Sequence, residues 1–146
     1  MTDQSSSLPF DENIAKRFLG PARGAGGLPV YLGFELVDAG PGTMTGRMPV
    51  REELLTPFGN LHGGVLSAFC DHMLGCVCYP AMKPGQWAAT TEFKINLTAP
   101  VSTGLLEARA EIVNLSRTQA VVRIDVSNEG RLAAVAQGTV TIRDPR

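Results

Sequence analysis

Several features are scarce in this 146-residue sequence, and each scarcity argues against a class of protein. The 13 basic and 14 acidic side chains give a formal net charge of −1, so the chain lacks the positive excess that attracts nucleic acid or anionic lipid. Long apolar runs are also missing, because the longest one, Val65 to Met82, is interrupted by Asp71, Gly75 and Pro80, which are costly in a lipid-facing helix. We therefore expect no nucleic-acid partner and no membrane partner.

Cysteine is scarce as well, and its placement argues against a disulfide framework or a metal site. Cys70, Cys76 and Cys78 are an odd number within one helical stretch and form no C-x-x-C or Cys/His ligand spacing. We interpret them as small, reduced core residues, expect neither metal nor cofactor, and predict a cytoplasmic protein. The start of the chain favours the same location, because it has no cationic segment followed by an apolar run.

Residues 1–29 are predicted to form a polar segment that contains one short helix. Asp11 is a candidate N-cap, and Ile14 and Phe18 fall on one helical face. The Gly- and Pro-rich stretch GPARGAGGLP that follows is predicted to be a loop. Residues 30–146 are then expected to form a single domain.

Alternation of apolar and polar residues predicts the strands of this domain. A hairpin is expected over residues 30–50, with its first strand from Val30 to Val37, and a helix from about His62 to Tyr79. Four further strands are expected as a meander, at residues 87–98, 104–114, 119–128 and 131–143. The fold class is therefore α+β, with one antiparallel sheet of about six strands around one long helix.

The predicted long helix begins on His62, Gly63 and Gly64 instead of a Ser or Asp cap. Glycine lowers helix propensity, so two glycines in the first turn need a structural reason. The first turn carries unpaired backbone N–H groups and the positive end of the helix dipole, and a residue without Cβ lets a ligand oxygen approach them. Close packing against a strand, or a tight entry turn, would also explain the glycines, and the spacing leaves both explanations open.

Asp71 lies nine residues beyond His62, which puts it on the opposite face of the helix and about 13 Å further along the axis. Its face is a row of small residues, Gly64, Ser67, Gly75 and Cys78, while the opposite stripe, His62, Val65, Phe69 and Met73, is expected to pack on the sheet. If two copies of the helix meet across a twofold axis, Asp71 of one reaches the helix start of the other. A purely structural Asp71, hydrogen-bonded at a dimer seam, is the alternative.

The stretch GNLHGGVLSAFCD, residues 59–71, resembles the signature of the hotdog-fold thioesterases, in particular the phenylacetate-pathway type that cleaves acyl-coenzyme A. The resemblance covers roughly residues 30–143. It implies a hotdog fold, in which the sheet wraps the helix, and a homodimer or homotetramer with active sites shared between subunits.

The resemblance also implies catalytic roles. Gly63 would polarise the thioester carbonyl through its backbone N–H, and Asp71 of the partner subunit would act as general base or nucleophile. His62 would hold the thioester or orient the loop. Family members commonly have a Ser or Thr on the strand after the helix that positions the water, which places Thr90 there, with Thr91 as its neighbour if the register differs by one.

Further residues are implied as substrate contacts. Gly64, Asn60 and Thr56 lie around the helix start, although many relatives have Asn six residues before the His, where this chain has Thr56 and so lacks the amide donor. Relatives often carry basic residues near the coenzyme A phosphates. Arg117 takes that place here, with Lys94 and Arg131 as possible contributors.

Two alternative functions stay open at this point. A hotdog dehydratase of 3-hydroxyacyl thioesters is disfavoured because its His and acid belong to a different motif. A non-catalytic acyl-CoA sensor is disfavoured because a pure binder has little use for an unpaired Asp71 beside an anionic ligand. The acyl group also stays open among aryl acetyl, medium aliphatic and hydroxybenzoyl groups.

Overall fold

The computed structural model describes residues 7–24 and 26–145 of the chain. Within this range the α-helices are α1 (Glu12–Phe18), α2 (Leu28–Leu32) and α3 (Gly63–Cys76), and 3₁₀ turns lie at Glu52–Leu54 and Tyr79–Ala81. The strands are β1 (Gly20–Pro21), β2 (Glu35–Gly40), β3 (Thr43–Pro49), β4 (Trp87–Leu97), β5 (Leu105–Leu115), β6 (Gln119–Asn128) and β7 (Arg131–Arg143).

These strands form one sheet in the order β1-β2-β3-β5-β6-β7-β4, and every neighbouring pair is antiparallel. Helix α3 packs against β3 and β4 to β7, with Phe69 and Met73 fully buried between helix and sheet. Gly46 of β3 permits this close approach, because a Cβ there would lie 2.5 Å from the Met73 sulfur. The predicted arrangement of one long helix on an antiparallel sheet is confirmed.

Side-chain alternation sets the two faces of the sheet. In β6, Val122, Ile124 and Val126 are fully buried, whereas Arg123 is exposed and forms an ion pair with Glu111 of β5 at 3.1 Å. The inner face therefore meets α3 and the outer face is polar, as the period-two pattern predicts.

The prediction of a strand from Val30 to Val37 is wrong over its first half, where the chain forms α2 instead. Pro29 lies in the first turn of this helix, where its fixed φ suits helical geometry. Gly33 ends the helix in the left-handed region, at φ 72°, and the N–H groups of Gly33 and Phe34 cap the last turn. The strand begins only at Glu35, and the hairpin of β2 and β3 then forms as expected.

The prediction that the last four strands form a meander is wrong for the first of them, β4. Only β5, β6 and β7 are consecutive neighbours, because β4 pairs with β7 at the edge of the sheet and β5 pairs with β3. None of the residues in β4 is fully buried, in keeping with its edge position. Alternation identifies a strand but not its neighbour, and the connection over residues 98–104 carries the chain from one edge to the middle of the sheet.

The N-terminal segment packs on the same core as the rest. Asp11 caps α1 as predicted, since its Oδ1 accepts from the N–H groups of Asn13 and Ile14. Phe18 stacks on Tyr79 with ring centroids 5.0 Å apart, and β1 pairs with β2. The described part of the N-terminal segment therefore contacts the domain, the boundary between 29 and 30 stays a prediction, and the prediction for residues 1–6 lies outside the described range.

Helix α3 is shorter than predicted, and two residues of its predicted faces are placed differently. His62 is exposed instead of packing on the sheet, because it is the N-cap and lies outside the helix. Cys78 is fully buried instead of sharing the face of Asp71. The helix ends at Cys76, and the chain then turns into a 3₁₀ turn.

Candidate active site

His62 organises the start of α3. Its Nδ1 accepts a hydrogen bond of 2.9 Å from the Gly64 N–H, and its carbonyl oxygen accepts from the Val65 N–H at 2.9 Å. An Nδ1 that accepts puts the ring proton of the neutral imidazole on Nε2. His62 thus performs the capping that Ser or Asp performs in most helices.

Gly63 is left with a free donor at this helix start. Within residues 7–24 and 26–145, no acceptor takes the Gly63 N–H, although the next two N–H groups are paired. The absent side chain matters as well, because a Cβ on Gly63 would lie 2.8 Å from Cδ1 of Leu97. A backbone donor at the positive end of a 14-residue helix is therefore available to an oxygen atom.

Asp71 lies two turns further along α3, on a face that the single chain leaves open. Its side chain is exposed, and no described residue forms a hydrogen bond or an ion pair with it. Gly75, one turn on, has nothing within 4 Å of where a Cβ would be. A hollow of about 300 Å³, which we call the Asp71 hollow, is lined by Asp71, His72, Gly75, Cys76, Tyr79, Ala88 and Thr90.

The register of β4 decides between Thr90 and Thr91. Thr90 pairs with the buried Val140 and lines the Asp71 hollow. A bulge follows, and the Thr91 hydroxyl donates to the carbonyl oxygen of Thr139 at 3.2 Å and accepts from Thr141. Thr90 is therefore the threonine next to Asp71, and Thr91 bonds across the sheet to β7.

Tyr79 and Ala88 line the Asp71 hollow although the sequence did not single them out. The Tyr79 hydroxyl accepts a hydrogen bond of 3.4 Å from the Ala88 N–H, which joins the end of the helical region to the start of β4. A Tyr just after a helix carries no pattern of its own, so only the folded chain reveals this contact.

His72 lies beside Asp71 but points toward β2. Its ring lies 5.0 Å from the Phe34 ring, and its Nε2 lies 3.5 Å from the Cys76 sulfur. Burial lowers the pKa of His72, and the nearby Asp71 charge opposes that shift. The imidazole is therefore held neutral near pH 7 and is a packed side chain more than a base.

All three cysteines are free and buried, as predicted. Burial raises the pKa of Cys70, Cys76 and Cys78 to about 12. A thiol with such a pKa supplies almost no thiolate at neutral pH, so none of these residues is suited to nucleophilic catalysis.

Thr56 and Asn60 form the turn that precedes α3. The Thr56 hydroxyl accepts from the Phe58 N–H at 3.3 Å, and the Thr56 N–H donates to the Asn60 carbonyl oxygen at 2.6 Å. The Asn60 side chain is exposed and accepts from Ser102 at 3.5 Å. Thr56 thus acts as a turn former, while Asn60 lines a hollow of about 250 Å³ with Leu66 and Leu97 beside the helix start.

The three basic residues predicted near coenzyme A phosphates do not come together in one chain. Arg117 is exposed in the turn between β5 and β6, at the end of the sheet where Trp87 pairs with Arg143. Arg131 lies at the opposite end of β7, and Lys94 lies on the outer face opposite Gln137.

The donor and the carboxylate are too far apart to act on one carbonyl within a single chain. Gly63 and Asp71 are eight residues apart in α3, which is about 12 Å along the axis. Within one chain they therefore lie in two separate places, the Gly63 N–H at the helix start and the Asp71 carboxylate in the Asp71 hollow.

Among the described residues, no group of three or more His, Cys, Asp or Glu side chains is placed to hold a metal ion. In the same part of the chain, no helix is long and apolar enough to cross a bilayer.

The family model of the Thioesterase superfamily matches residues 58–135, which include the helix start, Asp71 and Thr90. This chain belongs to that superfamily. A crystal structure of a thioesterase from Haemophilus influenzae superposes with a TM-score of 0.74 at 30% identity, covering 77% of this chain and 80% of that one. The protein is therefore a hotdog-fold thioesterase, a hydrolase of thioesters, and the dehydratase alternative is set aside.

Two other relatives of this thioesterase indicate the range of the superfamily. A 1,4-dihydroxy-2-naphthoyl-CoA hydrolase from Listeria monocytogenes is 26% identical over 121 residues, covering 82% of this chain and 98% of the relative. A phenylacetic acid degradation-related protein from Ralstonia eutropha superposes with a TM-score of 0.76 over 88% of this chain and 98% of that one. At 22% identity the latter likeness concerns the fold alone.

Proposed function

We propose that this thioesterase hydrolyses acyl-CoA in a homodimer whose active sites each combine two subunits. The Gly63 N–H of one subunit and the Asp71 carboxylate of the other act on the same thioester. The observation that carries the proposal is the unpaired Gly63 N–H at a helix start whose next two donors are already bonded. An acyl-CoA substrate is supported by the Listeria relative, whose name states CoA hydrolysis.

The proposed dimer is supported by the edge strand β4. It forms the end of the sheet with 11 residues, and Trp87 and Leu97 at its two ends are 42% and 55% exposed. An edge strand of this length presents unpaired backbone N–H and C=O groups that can pair with a strand of a second chain. A twofold axis beside β4 would set two copies of α3 antiparallel, so that the start of one helix meets Asp71 of the other. Assembly into a tetramer remains a prediction.

In the proposed reaction, the thioester carbonyl oxygen accepts from the Gly63 N–H, which stabilises the negative charge of the tetrahedral intermediate. Asp71 either takes a proton from water, which then attacks the carbonyl carbon, or attacks that carbon itself to form an anhydride that water cleaves. In both routes the carbon–sulfur bond breaks and coenzyme A leaves as a thiolate that takes up a proton. Thr90 lies beside Asp71 and is the group to hold the water.

The remaining predicted contacts have secondary roles in this proposal. His62 fixes the Gly64 N–H and so leaves Gly63 as the donor that faces the substrate. Asn60 lies beside the path into the helix start, and Arg117 is retained as a contact for coenzyme A phosphates. Thr56 supports the turn, and Thr91 supports the pairing of β4 with β7.

The experiment that tests the proposal removes the Gly63 donor without removing the helix. Proline has no N–H and is tolerated at the first helical position, and the preceding His62 already has the extended ψ of 131° that proline requires. Gly63→Ala is the matched control, because it introduces the same Cβ beside Leu97 and keeps the N–H.

We expect Gly63→Pro to lower kcat for acyl-CoA by about 10²–10³-fold, as for loss of one oxyanion donor, and Gly63→Ala to lose much less. Asp71→Asn should lose most activity without a change in melting temperature. The readout is loss of thioester absorbance. Equal activity of the Pro and Ala variants would refute the role of Gly63, and normal turnover by Asp71→Asn would refute that of Asp71. Binding of acyl-CoA without any turnover in the wild type would favour the sensor.

A further inference from the structure

A second hollow lies on the other side of His72 from Thr90. It has a volume of about 250 Å³ and is walled by Phe18, Leu19 and Ala22 of the N-terminal segment, by Phe34, and by His72 and Cys76 of α3. We call it the His72 hollow. His72 and Cys76 also line the Asp71 hollow, so the two spaces share a wall. An acyl group on a thioester at Asp71 would reach this space past the His72 and Cys76 side chains.

The His72 hollow is rich in aromatic rings. The Phe34 ring lies 5.0 Å from the His72 ring at an interplanar angle of 36°, and 5.0 Å from the Phe69 ring at the same angle. Phe18, also in the lining, stacks on Tyr79. Tilted and offset ring contacts of this kind favour another planar ring over a flexible chain.

The volume of the His72 hollow and the charges of its lining indicate which kind of group fits it. A volume of about 250 Å³ lies below the range of pockets that hold drug-sized ligands, so a group of one or two rings fits better than a long acyl chain. The charged residues of the lining are Arg17 and Arg23, both exposed, and no carboxylate lines the hollow within the described part of the chain. Positive charge at the mouth suits a ring with a hydroxyl or another electron-rich substituent.

Part of the lining comes from a segment of the chain that the family model does not match. That model covers residues 58–135, whereas Phe18, Leu19, Ala22 and Phe34 all precede residue 58. The donor and the carboxylate thus lie within the matched residues, while the N-terminal wall of the hollow is supplied by α1 and the residues that follow it. A wall of this origin can set selectivity without altering the hydrolytic groups.

We propose that the His72 hollow holds the acyl group, and that the N-terminal segment thereby selects compact aromatic acyl-CoA substrates. This inference rests on the proposed function, because it places the thioester at Asp71. Ala22 and Leu19 are selectivity-determining residues in it, and they contact the acyl ring but not the reacting carbon.

The experiment fills or enlarges the hollow and measures selectivity. Ala22→Phe fills it, Leu19→Ala enlarges it, and Val113→Phe is the control, because it introduces the same phenyl ring at a site 46% exposed on β5. For each variant, kcat/KM is measured with acetyl-CoA, benzoyl-CoA, 1-naphthoyl-CoA and octanoyl-CoA. Wild type should prefer benzoyl-CoA to octanoyl-CoA.

We expect Ala22→Phe to lower the ratio of kcat/KM for benzoyl-CoA to that for acetyl-CoA by about tenfold or more. Leu19→Ala should raise the ratio of naphthoyl-CoA to benzoyl-CoA, and Val113→Phe should change neither ratio. If Ala22→Phe does not fold, the Leu19→Ala result alone decides. Unchanged ratios in the folded variants, or a wild-type preference for octanoyl-CoA, would overturn the inference.

Calorimetry separates this inference from the proposed function. Benzoyl-CoA and free coenzyme A are titrated into Asp71→Asn with and without Ala22→Phe. If Ala22→Phe weakens the binding of benzoyl-CoA but not that of free coenzyme A, the result supports the His72 hollow as the acyl site. This holds even if Gly63 and Asp71 prove unnecessary for hydrolysis. Equally weaker binding of free coenzyme A would place the pantetheine arm there instead and overturn the inference.

Discussion

His62 illustrates how much one residue decides at the start of α3. The motif H-G-G suggests a catalytic histidine, but the Nδ1 atom is used to cap the Gly64 N–H. A Cβ on Gly64 would lie 3.0 Å from that nitrogen, so the second glycine makes room for the cap and the first leaves its donor free. The family resemblance implied that Gly63 is the donor, and the hydrogen bond from Gly64 to His62 explains why the Gly63 N–H is the one that stays unpaired.

Replacement of His62 tests this capping role. His62→Ala should lower the free energy of unfolding by about 1 kcal/mol, since one N-cap hydrogen bond is lost. His62→Asn should recover most of that loss, because Asn is a strong N-cap residue. Urea denaturation of the three proteins gives the comparison. Identical stability of wild type and His62→Ala would contradict the role.

The burial of His72 predicts how the free energy of unfolding depends on pH. Burial lowers the pKa of His72 in the folded chain, so on acidification the unfolded chain takes up a proton near its ordinary value of about 6.5 before the folded chain does. The stability that neutral His72 contributes is therefore complete above that pH and is lost as the pH falls from there through the lower pKa of the folded chain. His72→Gln should show a smaller loss in free energy of unfolding between about pH 7.5 and about pH 5.5. A loss as large as in the wild type would show that other groups cause it.

At the scale of single elements, sequence patterns predict some helices and strands correctly and miss others. The strands β5, β6 and β7 were predicted within about a residue, because buried and exposed side chains alternate along them. The helix α2 was missed because its five residues are too few for a periodic pattern, and the signals were Pro29 and Gly33 alone. The placement of β4 beside β7 depends on long-range pairing that no local pattern encodes.

Close contact between β4 and β7 next to the bulge requires a glycine in β7. Gly138 pairs with Phe93, and a Cβ there would be 2.5 Å from Cβ of Phe93 and 2.6 Å from the carbonyl oxygen of Glu92. Gly138→Ala should therefore destabilise the fold by about 1–3 kcal/mol and reduce activity by displacing Thr90. Gln137→Ala, at the exposed neighbour, should stay within about 0.5 kcal/mol of wild type. Thermal unfolding compares the two, and equal stability would refute the steric argument.

At the scale of the whole molecule, the described chain has an unpaired donor at Gly63, an exposed carboxylate at Asp71 and the edge strand β4. The candidate residues Gly63, Asp71 and Thr90 were all identified from the sequence, and the separation along α3 also followed from it. The sequence did not show at which edge of the sheet β4 lies. That position puts Thr90 next to Asp71 and leaves the edge free beside them.

Mixing two inactive variants tests the shared site directly. In a dimer of Gly63→Pro with Asp71→Asn, one composite site carries both changes and the other carries neither. Random exchange of equal amounts of the two variants makes half of the dimers mixed, and each mixed dimer has one intact site of two. The mixture should therefore recover about a quarter of the wild-type activity. The control is each variant exchanged with itself. A site contained in one chain would give no recovery, and so would a monomer.

The three buried thiols have a practical consequence for such assays. Since Cys70, Cys76 and Cys78 each have a pKa of about 12 in the folded chain, they should exchange very slowly with an aromatic disulfide dye at neutral pH. Liberated coenzyme A would then give nearly all of the colour, even at high enzyme concentration. The same dye, added during denaturation, would count the protein's own thiols as the core opens, so that one reagent reports both turnover and unfolding.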